Sequence, residues 1–280
     1  MGIVTAPLRG IELAADGYLN NPFVVWDNIG ASATLSGTTP IDGGAFANAV
    51  TGSTYDKYRA IESANEVILS FDLGAAAVVG FAALVSHNLG TLGATVQVRN
   101  SADGVTYADG GAGAVVAADN KPLAWRMAMG GTARRYWQFY ITGLAASDQV
   151  NIGVAFLGSE LVLPQRMYQG FSPVLTPTEV ALQSNVSIGG ELLGSSVITS
   201  GATLSAELTY IPAEFIRSSD WLDFQARFGE GKAFLFAWRP DKYAQDVYYC
   251  ARSDAVIRPS NAGPRDLMGI SFSARVYGNG

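Results

Sequence analysis

The sequence is poor in the side chains on which most protein chemistry depends. It has one histidine, His87, and one cysteine, Cys250, in 280 residues. A single histidine excludes a multi-histidine metal site, and it excludes a serine hydrolase triad built without His87. A single cysteine excludes an internal disulfide. Cys250 sits in the apolar run Tyr248-Tyr249-Cys250-Ala251 and is expected to be reduced and buried. Charged residues make up 15% of the chain, 24 acidic against 18 basic. With no basic stripe to neutralise phosphates, specific nucleic-acid binding is not expected. No run reaches the ~20 apolar residues of a membrane helix. The start, Met1-Gly-Ile-Val-Thr-Ala-Pro-Leu-Arg-Gly10, lacks the basic and apolar regions of a secretion signal. These absences predict no membrane insertion and folding in a cytoplasm. There is also no internal repeat and no low-complexity segment.

The chain does have ample material for cores and turns. Hydrophobic residues are 49% of it, and 32 glycines and 11 prolines are spread along its length, as in folds made of many short strands. Val67, Leu69, Phe71 and Leu73 alternate with Ile68, Ser70 and Asp72, the period of a strand with one apolar face. Ala77 to Val85 reads as one buried apolar strand. Val96 and Val98 lead into the turn Ser101-Ala-Asp-Gly104, and Trp137, Phe139 and Ile141 share the core phase of a later strand. Several short strands at this spacing predict a β-sandwich.

A proline-rich stretch, Leu163 to Thr178, then reads as a linker. Beyond it the strand pattern resumes, with Val180, Leu182, Val186 and Ile188 on one phase and Leu204, Ala206, Leu208 and Tyr210 on another. Pro212 opens a helical stretch, either one helix or two short ones, with Ser218 to Asp220 as an internal cap and Gly229 as its stop. Three strands follow, near 232–238, 245–252 and 267–276. The order strand-strand-helix-strand-strand-strand is that of an α+β sheet domain. The expected division is an arm at 1–22, a sandwich at 23–162 that folds alone, a linker at 163–178 and an α+β domain at 179–280.

Four blocks carry a family resemblance: Glu66-Val-Ile-Leu-Ser-Phe-Asp-Leu-Gly74, Val96 to Tyr107 with its Ser-Ala-Asp-Gly turn, Arg134-Arg-Tyr-Trp-Gln-Phe-Tyr-Ile141, and Val154-Ala-Phe-Leu-Gly-Ser-Glu160. Their order resembles the galactose-binding-like β-sandwich family, the discoidin or F5/8-type module, whose members bind or scaffold. His87-Asn-Leu-Gly90 is similar to such modules in phage tail proteins. The block Gly231 to Tyr249, containing Phe234-Leu-Phe-Ala-Trp-Arg-Pro240, resembles C-terminal regions of phage tail-tip and minor tail proteins. That second resemblance implies a tail-tube-like domain of two sheets and one helix. It implies a siphophage virion protein of the distal tail or baseplate, assembled in the host cytoplasm as a ring, six-fold in its relatives, beside other tail proteins. The alternative is a lectin-like carbohydrate-binding protein or adhesin.

Candidate ligand or host-surface contacts are Trp26, Tyr55, Tyr58, Arg59, His87 and Asn88, taken from the early loops where glycan-binding members make contact. His87 also fits a turn-shaping role, and the aromatics fit packing. Candidate subunit contacts are Met167, Tyr168, Phe171, Trp221 and Trp238. The carboxylates Asp42, Asp56, Glu62, Glu66 and Asp72 form no recognisable acid–base pair. No catalytic residue, metal ligand or cofactor is expected. Both phases of the Phe234 strand are apolar, which predicts a helix on one side and a neighbouring subunit on the other.

Overall fold

The computed structural model describes residues 3–5, 20–127, 131–167, 170–175, 179–263 and 265–277. Three sheets and a helix are stacked in four layers. The outermost sheet runs in the order Thr34–Gly37, Glu66–Ala77, Arg134–Thr142, Thr95–Ser101, Ala108–Asp109, with Val115–Val116 also on the Thr95 strand. The second runs Ile3–Thr5, Leu123–Arg126, Phe81–His87, Gln149–Gly158, Tyr58–Ile61. Trp125, Phe139, Phe71, Leu84 and Trp137 fill the space between these two sheets, so the expected sandwich is present. Trp137 is core, as its phase with Phe139 and Ile141 requires.

The third sheet runs Leu161–Val162, Phe23–Val25, Phe234–Ala237, Val247–Arg252, Leu267–Tyr277, Leu192–Pro212, Glu179–Val186. One of its faces meets the helix Ser219–Gly229 through Trp221, Phe224, Phe228, Phe234, Phe236 and Phe272. Ser218 caps that helix by accepting from the Trp221 amide, and a separate four-residue helix, Ala213–Ile216, precedes it. The helical stretch is therefore two helices. The opposite face packs on the sandwich, where Phe23, Val25, Leu235, Val247 and Tyr249 meet Phe81, Ala83, Val85, Val154 and Phe156.

That third core corrects several expectations. The boundaries at 23 and 162 are crossed, because Phe23–Val25 pairs with Phe234–Ala237 and with Leu161–Val162. Among the described residues the C-terminal part has one sheet with two helices, not two sheets with one, since the sandwich itself covers the second face. The neighbouring subunit invoked for the Phe234 strand is likewise not needed for its burial. Ala77 to Val85 is not one strand: Glu66–Ala77 ends before the turn that holds Gly80, whose amide bonds the Gly158 carbonyl at 3.0 Å. Within the expected arm, Ile3–Thr5 pairs in parallel with Leu123–Arg126 of the same chain. The linker is docked at its start, where Leu163 is fully buried and its carbonyl accepts from the Asn21 amide at 2.9 Å.

A buried ion cluster ties the sandwich to the third sheet. Arg126 is 0% exposed, and its guanidinium donates to both carboxylate oxygens of Glu160, each at 3.2 Å. Asp241 lies 4.0 Å away on the loop after the Phe234 strand, and the Phe23 ring lies under the guanidinium at 4.6 Å. A fully buried arginine is tolerable only with such partners.

Candidate functional site

The structure brings Tyr58, Arg59, His87 and Asn88 together around Asn151 and Ile152 but forms no open site from all six early-loop candidates. Tyr58 is wholly buried in the sandwich core, with its hydroxyl donating to the Thr38 carbonyl at 2.7 Å; the alternation with Ala60 turns it inward. His87 is also buried, and its Nδ1 accepts from the Leu89 amide at 3.3 Å. Burial pushes its pKa from 6.5 down to about 4, so near neutrality it is an uncharged residue buried at the end of its strand. Trp26 packs against the helix-side core with Arg227 over its ring, away from the others. Asn88 is used at both ends of its amide, donating to the Gln149 carbonyl and accepting from the Asn151 amide, each at 2.8 Å. Arg59, half-buried on the edge strand, pairs with that same Asn151. Tyr55 alone among the six is openly displayed, at 87% exposure.

The subunit-contact candidates are redistributed as well. Trp221 is fully buried under the helix, so it is core and unavailable to another chain. Trp238 is half-buried, donates to Asp246 at 2.8 Å and stacks on Tyr243. Met167 and Phe171 pack against the helix-side core, Phe171 with its ring 5.2 Å from that of Trp238. Tyr168 lies outside the described residues. A groove of about 590 Å³ opens nearby, lined by Phe171, Glu207, Thr209, Asp254, Val256 and Arg258 among others.

The sandwich's outer face carries an ordered polar grid that was not singled out in the sequence. Across three strands, Asp72, Tyr136 and Ser101 align, then Ser70, Gln138 and Arg99, then Ile68, Tyr140 and Gln97. The Arg99 guanidinium lies 3.5 Å from the Tyr140 ring centre, and its Nε donates to Gln97 at 2.7 Å. Arg135 holds Asp72 through two bonds of 2.6 and 2.8 Å, which keeps that carboxyl below its usual pKa. These groups bond to one another, and Gln138 and Ser101 among them are buried, so the face reads as a structural polar layer.

Among the described residues, a feature with nothing packed on its apolar side is the hairpin of Glu179–Val186 and the first part of Leu192–Pro212. Leu182 stands opposite Val197, Ser184 opposite Ser195, and Val186 opposite Leu192. Directly opposed residues share a face, as do residues two apart along a strand. Val180, Leu182 and Val186 therefore form one aliphatic face with Val197 and Leu192, while Gln183, Asn185 and Ser196 occupy the other. In water-soluble sheets an apolar face is covered. Here Val180, Leu182, Val186, Leu192 and Val197 are 47, 57, 58, 69 and 60% exposed, and Ile188 at the tip is fully bare. The period that placed Val180, Leu182, Val186 and Ile188 on one phase was legible in the sequence; that they stand uncovered among the described residues was not.

About half of the chain is similar in fold to carbohydrate-binding modules of known structure. The CBM32 of AlyQ, in complex with 4,5-unsaturated mannuronic acid, matches over 48% of this chain and 96% of its own, at 16% identity and a TM-score of 0.37. A CBM32 module, CpGH89CBM32-6, from Clostridium perfringens matches over 47% and 98%, at 17% identity and 0.36. A CBM32-1 module of a family 31 glycoside hydrolase from the same organism matches over 48% and 99%, at 14% identity and 0.40. The likeness is one of β-sandwich fold and carries no ligand with it. No protein-family model matches the chain, and no curated protein matches its sequence.

Proposed function

We propose that the chain is a non-catalytic structural subunit that works by contact with other proteins. The observation that carries this reading is the uncovered aliphatic face of the 179–201 hairpin. A two-stranded hairpin is marginal in water by itself, and one that presents a row of bare valines and leucines is stabilised when another surface covers it. The body behind it suits a scaffold: three cores and the Arg126 cluster join sandwich and third sheet. At finer grain, we assign it to the distal tail or baseplate of a tailed bacteriophage, as a ring-forming minor tail protein whose sandwich decorates the tail or touches the host surface. The sequence resemblance of residues 231–249 is what selects a tail over other assemblies. Co-expression with neighbouring tail proteins, followed by negative-stain imaging, tests the assignment. Ring-shaped particles containing this chain are expected; a chain that stays monomeric with every tail partner contradicts it.

A second reading, glycan binding, draws on Tyr55. Its loop is fixed by the Ser86 hydroxyl donating to the Thr54 carbonyl at 3.1 Å, and an exposed aromatic on a fixed loop is a stacking platform for a sugar ring. Glycan-array binding that disappears in Tyr55→Ala would favour it.

A further inference from the structure

We infer that the hairpin is a self-association site, at which two copies of this chain pack their aliphatic faces against each other. The inference rests on the assembly reading and names one contact within it. The face is self-complementary in chemistry. Its centre, from Val180 through Leu182, Val197, Ser184 and Ser195 to Val186 and Leu192, holds aliphatic and hydroxyl side chains only. Residues 179–201 contain two glutamates and no lysine or arginine, so the edge lacks the lysines that commonly keep exposed strands apart. Neither charge lies among the opposed pairs of the stripe, so two copies meet without like charges at the centre.

The area also fits. Apolar transfer energies correspond to on the order of 100 Å² per bare aliphatic side chain. Scaled by their exposures, the five stripe residues with Ile188 present roughly 400 Å² of apolar surface. A standard interface takes about 800 Å² from each partner, a little over half of it apolar. One hairpin face thus supplies the apolar share of one side. The backbone leaves room for approach: pairing between Leu192–Pro212 and Leu267–Tyr277 begins only at Ala202. Among the described residues, the hairpin's outer edges have no strand beside them. Packing of two such faces is isologous, unlike the head-to-tail contacts that close a ring, so each contact stands or falls separately.

The lone cysteine makes the test direct. Cys250 is fully buried and paired in the sheet with Phe234, so one introduced thiol is the reactive one. Ser195 and Ser196 are neighbours that lie on opposite faces of the hairpin. Full-length Ser195→Cys is expected to form a covalent dimer under mild oxidation on the order of tenfold faster than Ser196→Cys, because association raises the effective thiol concentration. Equilibrium sedimentation should show a dimer for the unaltered chain and a monomer for Leu182→Asp, with equal melting temperatures at dilutions where both are monomeric, since Leu182 belongs to none of the three cores. Equal cross-linking rates, or a monomer at every concentration, overturn the proposal. So does flotation with phosphatidylcholine vesicles that Leu182→Asp abolishes in the absence of any dimer, which would assign the face to lipid. Ring particles in the imaging experiment without Ser195→Cys linkage would overturn this contact and leave the assembly reading standing. A linked dimer that never enters larger particles would do the reverse.

Discussion

Leu235 and Phe236 are adjacent residues of one strand, and each is fully buried in a different core. Phe236 faces the helix side and Leu235 faces the sandwich, because successive side chains of a strand point to opposite sides. The strand is thus shared property of two layers. Leu235→Ala and Phe236→Ala should each destabilise the chain, by about 2–5 and about 3–5 kcal/mol respectively. Urea unfolding followed by both tryptophan fluorescence and far-UV dichroism should show coincident transitions in each variant. Separate transitions for sandwich and third sheet would mean that the shared core does not couple them.

The same coupling bears on the fragment 20–162, which the sequence presents as a self-sufficient sandwich. Without the third sheet, Phe81, Val85, Val154 and Phe156 lose Leu235, Val247 and Tyr249 as cover. The fragment should bind a hydrophobic dye strongly and associate in solution, while the full chain does neither through this face. A monodisperse fragment with well-dispersed proton resonances and no dye binding would restore the original boundary.

Arg126 gives a sharper test of the weld. Removing it by Arg126→Ala leaves the Glu160 carboxylate buried without its bidentate partner, and should cost about 3–5 kcal/mol. Replacing both, with Arg126→Met and Glu160→Gln, should recover most of that loss, because no buried charge is stranded. Chemical denaturation of Arg126→Met, Glu160→Gln and the double variant closes the cycle. Additive losses would contradict the cluster's role.

His87 sets an acid dependence. Its folded-state pKa is about 4, down from 6.5, with burial as the main cause; Asp119 opposes the shift and Lys57 adds to it. The unfolded chain therefore binds this proton first, so stability is full above pH 6.5 and falls as pH drops from there toward about 4. The total loss is about 3 kcal/mol. The carboxyls that are depressed on folding, such as Glu62 and Asp103, the latter to about 2, lose their contribution only as pH falls below about 4.5, at the foot of that window. Melting temperature against pH should slope between pH 4 and 6.5 in the native chain and flatten in His87→Gln. An unchanged slope in that variant assigns the effect elsewhere.

The strands were legible in the sequence because period-two alternation reports directly which side chains face a core: Val67 to Leu73, Trp137 to Ile141 and Leu204 to Leu208 all lie as their phases require. Chain order was a poorer guide to which sheet a strand joins. Phe23-Val-Val25 precedes the sandwich in sequence, yet its pairing partner lies some 210 residues on, at Phe234–Ala237, and no local pattern encodes so distant a contact. The candidate sites suffered from the same limit. Tyr58 and His87 occupy the expected segments, but their direction was decided by neighbouring strands. The hairpin's importance came from exposure, which composition does not report.

This chain is built to be held by a second copy of itself through its hairpin. Sedimentation velocity over a rising concentration series, on the intact chain and on one with residues 183–196 replaced by a short glycine turn, tests it most directly. The intact chain should sediment progressively faster as concentration rises, while the shortened chain stays at the monomer value with its melting temperature preserved. A single concentration-independent monomer in both would contradict the claim.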